Sequence, residues 1–420
     1  MLRKTLVWIL VSAVIGIAAA QTPPVSKVGT LMSYTGALAE FGPAINNGAT
    51  LAADQLNAAA IAVLGGPIVE IVSEDTGTNP AQAVDRARKL VNTDGVIAIV
   101  GALASSSTVA VAESVAIPSE VIMISPASTS PLVAMLPDAN DYIYRTVSSD
   151  ALQGVVGAQL ARGEIVEGVS YDTAAILYVN NPYGQGLAEA FAAAFEARGG
   201  RVIARVAHPE EPQPTYAALL EQALASDPDV LIAASYPGHA TVYLQESRDL
   251  YGYESWQFVD GTKSVDIIEA LGADTVEGMY GTAPGADPSW EGYVRFSDAY
   301  ETAYGERPPL PYIDTAYDAM SVIGLAIAKA IIDDVEVNSA NVRDRLRQVA
   351  NPDGEVVGVG DFEEALRLLQ LGTDINYTGA AGTVDFDELG DVVTPVEIWQ
   401  FSGGSIVSIE VRTADEIPAQ

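Results

Sequence analysis

No cysteine occurs in the 420 residues, and histidine is limited to His208 and His239. The first absence excludes disulfides, thiolate nucleophiles, cysteine-ligated metals and the lipid-bearing cysteine of a lipoprotein. The second leaves little imidazole for metal binding or acid–base catalysis. Basic residues are scarce: 21 Lys and Arg stand against 55 Asp and Glu, a formal net charge of −34. Such a charge repels nucleic acid and anionic lipid at long range, so neither is expected as a partner. The acids are scattered rather than gathered in a tail, which reads as a solvated surface. Scarce lysine also fits a protein bathed in salty water, where screening weakens self-repulsion. Long apolar runs are lacking too. The stretches 6–17 and 320–332 are both too short to span a bilayer comfortably, and the second carries Lys329, so it reads as a core helix.

What is present begins with a leader. Arg3 and Lys4 precede the apolar run 6–17, and Ala18, Ala19 and Ala20 follow before Gln21. This order is that of a secretory signal peptide, residues 1–20, cleaved near Ala20. A free, soluble, periplasmic protein of about 400 residues is expected, long enough for two domains.

Short β-branched runs alternate with helical stretches: strands at 27–33, 68–73, 96–100, 121–124 and 142–145, with helices at 42–60, 80–93 and 105–116 between them. This rhythm belongs to a parallel sheet covered by helices on both faces. A second series follows 146, with strands at 173–179, 201–207, 230–235, 256–259 and 278–282. Long helices at 290–304 and 313–332 suit the first lobe's uncovered face. The fold class is therefore α/β, two doubly wound parallel-sheet lobes joined by several hinge crossings, with a cleft between them. The division expected is 21–147 with 283–376 for lobe I and 148–282 with 377–420 for lobe II.

Ligands of parallel sheets meet the carboxyl ends of strands, where helix starts offer free N–H groups. Two hydroxyl-rich turns fall there. One is 101–108 (GALASSST), where Ser105 either caps the helix or meets a carboxylate. The other is 124–131 (ISPASTSP), where Thr129 is able both to donate to a carboxylate and to accept from an ammonium.

These turns, with 33–42 (SYTGALAEFG), 183–188 (YGQGLA), 316–319 (AYDA) and 379–387 (GAAGTVDFD) in the same order, resemble the type I periplasmic binding proteins of branched-chain amino-acid ABC transporters. The resemblance spans nearly the whole mature chain. It implies that Ser105 and Thr129 hold a ligand's α-carboxylate, with Ser128 in the same turn, and that the Ala127 carbonyl and the Thr129 hydroxyl accept from its α-ammonium. It also implies that Tyr183 and Tyr236 close over the ligand from the second lobe, and that Phe41 stands at the cleft mouth. One departure appears in 258–263 (FVDGTK): an ungapped match puts Thr262 where the family has an ammonium-binding glutamate. Asp260 either takes that role or merely caps the Gly261 turn. In the second case the ligand is an amine-free carboxylate or amide, toward which His239 would donate, unless it is a surface histidine starting a helix.

The implied function is a solute-binding subunit that takes a small, branched-chain-like amino acid into the cleft and delivers it to an ABC permease. It would act as a monomer without metal or cofactor. A soluble ligand-sensing subunit is the alternative. A hydrolase lacks support: no Gly-x-Ser-x-Gly elbow occurs, and neither histidine has an evident serine partner in the motifs.

Overall fold

The computed structural model describes residues 22–417; the expected signal peptide lies outside them. The first lobe is built on five parallel strands, β1 (Ser26–Met32), β2 (Val69–Asp75), β3 (Ala98–Gly101), β4 (Ile122–Ser125) and β5 (Ile143–Arg145), in the order β2-β1-β3-β4-β5. The second is built on β6 (Thr173–Val179), β7 (Arg201–His208), β8 (Val230–Ala234) and β9 (Trp256–Gln257), parallel in the order β7-β6-β8-β9. Strands β3, β4 and β8 are buried along their whole length, as strands covered on both faces by helices must be. This is the two-lobed, doubly wound fold expected.

The run expected as a further parallel strand, 278–282, is β10 (Tyr280–Pro284) and joins another sheet. After a small pair, β11 (Glu355–Val357) and β12 (Ile375–Tyr377), come β13 (Val396–Ser402) and β14 (Ser405–Arg412). The order β10-β13-β14 is antiparallel throughout, and a bridge from Phe258 to Gly281 links it to the second lobe's parallel sheet. Trp399 and Phe401 of β13 pack on Phe258, so this sheet extends the second lobe's core.

The helix Ile313–Ile332 is buried nearly all round and lies against Phe41–Leu64 in the first lobe. Gly324 permits that approach: a Cβ there would stand 2.0 Å from Leu56 Cδ2. This is the one described helix apolar and long enough to cross a membrane, and its burial makes it a core helix instead.

Three segments cross between the lobes side by side. Ser148 hydrogen-bonds Thr394, the Gly285 N–H donates to the Pro395 carbonyl, and the Thr146 hydroxyl donates to Thr315 O. We place the last crossing near residue 394 rather than 377. Ala380 and Ala381 donate N–H bonds to Asp318, Phe386 packs on Tyr144, and Asp391 pairs with Arg145, all in the first lobe.

Candidate ligand-binding site

Between the lobes lies a cavity with about 350 Å³ of space free of protein atoms. Six of the eight residues expected from the sequence line it: Phe41, Ser105 and Ala127 from the first lobe, and Tyr183, Tyr236 and Asp260 from the second. Leu38, Ile45, Leu103, Gly261 and Tyr312 complete the wall, which is predominantly apolar and includes no lysine or arginine.

The first-lobe side follows from the two turns. Ser105 opens the helix Ser105–Val111 at the end of β3, and its hydroxyl accepts from the Ser130 N–H at 3.3 Å. Ser128 is not on the cavity wall. Its hydroxyl is spent on the Leu103 carbonyl at 3.1 Å and on Thr108 at 2.7 Å, which ties the two turns together. Thr129 also stands behind the wall, fully buried, with no well-formed hydrogen bond to its hydroxyl.

On the second-lobe side, Tyr183 and Tyr236 stack with ring centroids 5.4 Å apart and planes 10° apart. Tyr236 Oη accepts from Asn181 Nδ2 at 3.0 Å, and Asn181 also caps the helix Pro182–Ala197. Gly261 lets the acid-bearing turn come close, since a Cβ there would stand 2.3 Å from the Ser235 carbonyl. Thr262 is turned away: its hydroxyl accepts from the Val259 N–H at 2.9 Å and closes the turn. Asp260 is thereby the acid that faces the cavity. Its Oδ1 accepts from Gln153 Nε2 and Tyr183 Oη, both at 2.8 Å, and its Oδ2 accepts from Tyr312 Oη. Tyr312 reaches across from the first lobe with φ at +72°, a left-handed backbone that costs a bulky residue about 1–3 kcal/mol.

A second acid, Asp150, was missed by the sequence reading. It is fully buried at the start of the helix Asp150–Ala161, and neither carboxylate oxygen has a well-formed hydrogen bond. Burial raises its proton affinity well above the ordinary carboxylate range, and the charge of Asp260 raises it further, while nearby Thr129 and Arg145 act the other way. Asp260 is raised too, by burial, against the three side-chain donors that favour its charged form. Arg145 is committed elsewhere, to Asp391 and to the carbonyls of Ser128 and Ser130. Asp260 thus lies on a cavity wall without a cationic side chain, and a second buried acid, Asp150, is close enough behind it to feel its charge. A helix-start acid at 150 looks like ordinary dipole complementation in sequence, and nothing in its neighbours marks it as coupled to Asp260, 110 positions away.

The surface position expected for His239 is not found. Its helix, Pro237–Tyr251, turns the face bearing His239, Ala240, Tyr243 and Leu244 into the second-lobe core. His239 Nδ1 meets Tyr216 Oη at 2.9 Å, and burial depresses its pKa to about 3. His208 does have a serine partner, Ser235, at 2.7 Å. Both are fully buried off the cavity wall, and the other ring nitrogen of His208 faces the Pro209 carbonyl, not a carboxylate. Among the described residues no cluster of three or more His, Cys, Asp or Glu is arranged to hold a metal.

Two hinged parallel-sheet lobes with a cavity at their strand ends define a solute-binding architecture, and a family model described as periplasmic binding protein matches residues 26–367. The chain belongs to that family. It is 30% identical over 350 residues to BasB of Halobacterium salinarum, a chemotactic signal transduction system substrate-binding protein, covering 83% of this chain and 80% of that one. It is 26% identical to the Leu/Ile/Val-binding protein BraC3 of Rhizobium johnstonii, covering 91% and 93%. Among solved structures, the leucine-binding protein LivK of Thermotoga maritima superimposes with a TM-score of 0.76 at 25% identity, covering 93% of this chain and 99% of that one.

Proposed function

We propose that this protein captures a small aliphatic α-amino acid in the cleft outside the cytoplasm and presents it to an ABC permease. The observation that carries this is Asp260, a buried acid on a cavity wall without a cationic side chain, with a second buried acid, Asp150, electrostatically coupled to it. A buried carboxylate without a countercharge is costly even when hydrogen-bonded, and a ligand ammonium supplies that charge. The ligand carboxylate would lie toward Ser105 and its ammonium toward Asp260, with the Ala127 carbonyl as a further acceptor and Asp150 and Thr129 behind the wall. Tyr183 and Tyr236 would close over it, and Leu38, Phe41, Ile45 and Leu103 suit an aliphatic side chain. An acidic side chain would find no basic partner on this wall. The leader at residues 1–20 supports export to the periplasm.

Similarity to BasB supports a second reading of the partner: the closed form reports to a signal transducer instead of a permease. The ligand chemistry is the same in both. A thermal-shift screen against free amino acids and against small carboxylates and amides without an α-amine tests it. A ligand at about a thousand times its Kd adds about 4 kcal/mol of stability. Stabilisation by aliphatic amino acids is expected, and stabilisation by the amine-free panel alone would overturn the assignment.

A further inference from the structure

Two serine–glutamate pairs join the lobes across the cleft, in opposite senses. Ser106 of the first lobe donates to Glu210 of the second, and Ser264 of the second donates to Glu40 of the first. Their surroundings differ. Glu210 Oε1 receives another donor, Asn181 Nδ2, at 2.7 Å. Glu40 directly precedes the cavity-lining Phe41, and while one of its oxygens takes the Ser264 hydroxyl, the other, Oε1, is buried without a hydrogen-bond partner.

Ser264 caps the helix Val265–Leu271, accepting from the Asp266 N–H at 3.0 Å, and the Val265 N–H also favours the Glu40 carboxylate. The same helix brings two acids, Asp266 and Glu269, to face Glu40. Closing the cleft therefore removes much of this carboxyl from water, leaves Oε1 buried without a hydrogen-bond partner and sets the group beside like charges. Opening would return it to solvent, because Glu40 and Ser264 belong to different lobes.

We propose that the Glu40–Ser264 contact is a proton-linked latch that holds the cleft closed more firmly as the medium becomes more acidic. Burial, opposed by the Ser264 bond and aided by Asp266, raises Glu40 from an ordinary 4.5 to about 7 in the closed form. A raised acid favours the closed form fully below its open-state value, and that advantage is lost as pH rises through about 7. Between pH 8 and pH 6 the closing equilibrium should gain about tenfold from this one group. The latch rests on the proposed function only for the choice of ligand probe.

Because the chain has no cysteine, Ile61→Cys in the first lobe and Leu250→Cys in the second, both exposed, accept a spin-label pair that reports lobe separation. In ligand-free protein, the closed-to-open ratio at pH 6 relative to pH 8 is expected to be about tenfold larger than in the same protein carrying Glu40→Gln. Glu210→Gln, at the other pair, should retain the full response. Equal responses with and without Glu40→Gln, or equal loss in both variants, would overturn the latch. Titration with L-isoleucine should show the same tenfold difference in Kd. If L-isoleucine fails to bind at either pH, the ligand class falls, while the ligand-free distances still decide the latch.

Discussion

Asp150→Asn should push ligand affinity and ligand-free stability in opposite directions. The carboxyl is fully buried, has no well-formed hydrogen bond at either oxygen, and is pressed toward its protonated form by burial and by Asp260. A buried polar group left unpaired costs about 1–3 kcal/mol. Asparagine keeps the volume and removes the repulsion with Asp260, so the empty protein should unfold at an equal or higher temperature. Binding is a different matter. Removing one charged partner from a buried pair costs about 2–5 kcal/mol, which is roughly thirty- to several-thousandfold in Kd for an amino-acid ligand. Thermal unfolding without ligand and calorimetric titration with L-isoleucine give the two numbers. Unchanged affinity would refute the placement of Asp150 beside the ammonium, and a parallel loss of stability and affinity would make it a structural residue instead.

Asp260→Asn should also weaken amino-acid binding by at least about thirtyfold, and it should loosen closure as well, because Asp260 accepts from Tyr183 in one lobe and Tyr312 in the other; unchanged lobe separation by small-angle scattering would contradict this. Asp318, fully buried under Tyr377 and the N–H groups of Ala380 and Ala381, is raised by burial to about 7. Its contribution to stability is complete below the ordinary carboxylate value and is lost as pH rises through about 7. Melting temperature should therefore fall between pH 6 and pH 8, and Asp318→Asn should flatten that slope. With a net charge of −34, raising salt from about 0.1 M to about 1 M shortens the Debye length from about 10 Å to about 3 Å and should raise the melting temperature; no change would count against self-repulsion as a burden on this fold.

The two-lobed architecture was legible because burial on both sheet faces writes itself as short β-branched runs between helices, from 27–33 through 230–235. Where a strand takes part in a different kind of sheet the rhythm misleads: β10 looks like the last parallel strand, but its partner β13 is more than a hundred residues away. The turns holding Ser105 and Ala127 were readable from their serines, threonines and prolines at strand ends. Asp150 and Tyr312 were not. The first is indistinguishable in sequence from an acid placed to complement a helix start, and the second lies in a proline-rich stretch where nothing foretells its left-handed backbone. His239 was misjudged because a helix that begins beside the cleft looked exposed, whereas the face carrying His239, Ala240 and Tyr243 is the buried one.

The most direct test of the proposed ligand class is a calorimetric titration that compares L-isoleucine with 3-methylpentanoate, the same carbon skeleton without the amine. If Asp260 and Asp150 receive an ammonium, the amino acid should bind at least about a hundredfold more tightly than its amine-free counterpart. Equal binding of the two, or preference for 3-methylpentanoate, would contradict the account.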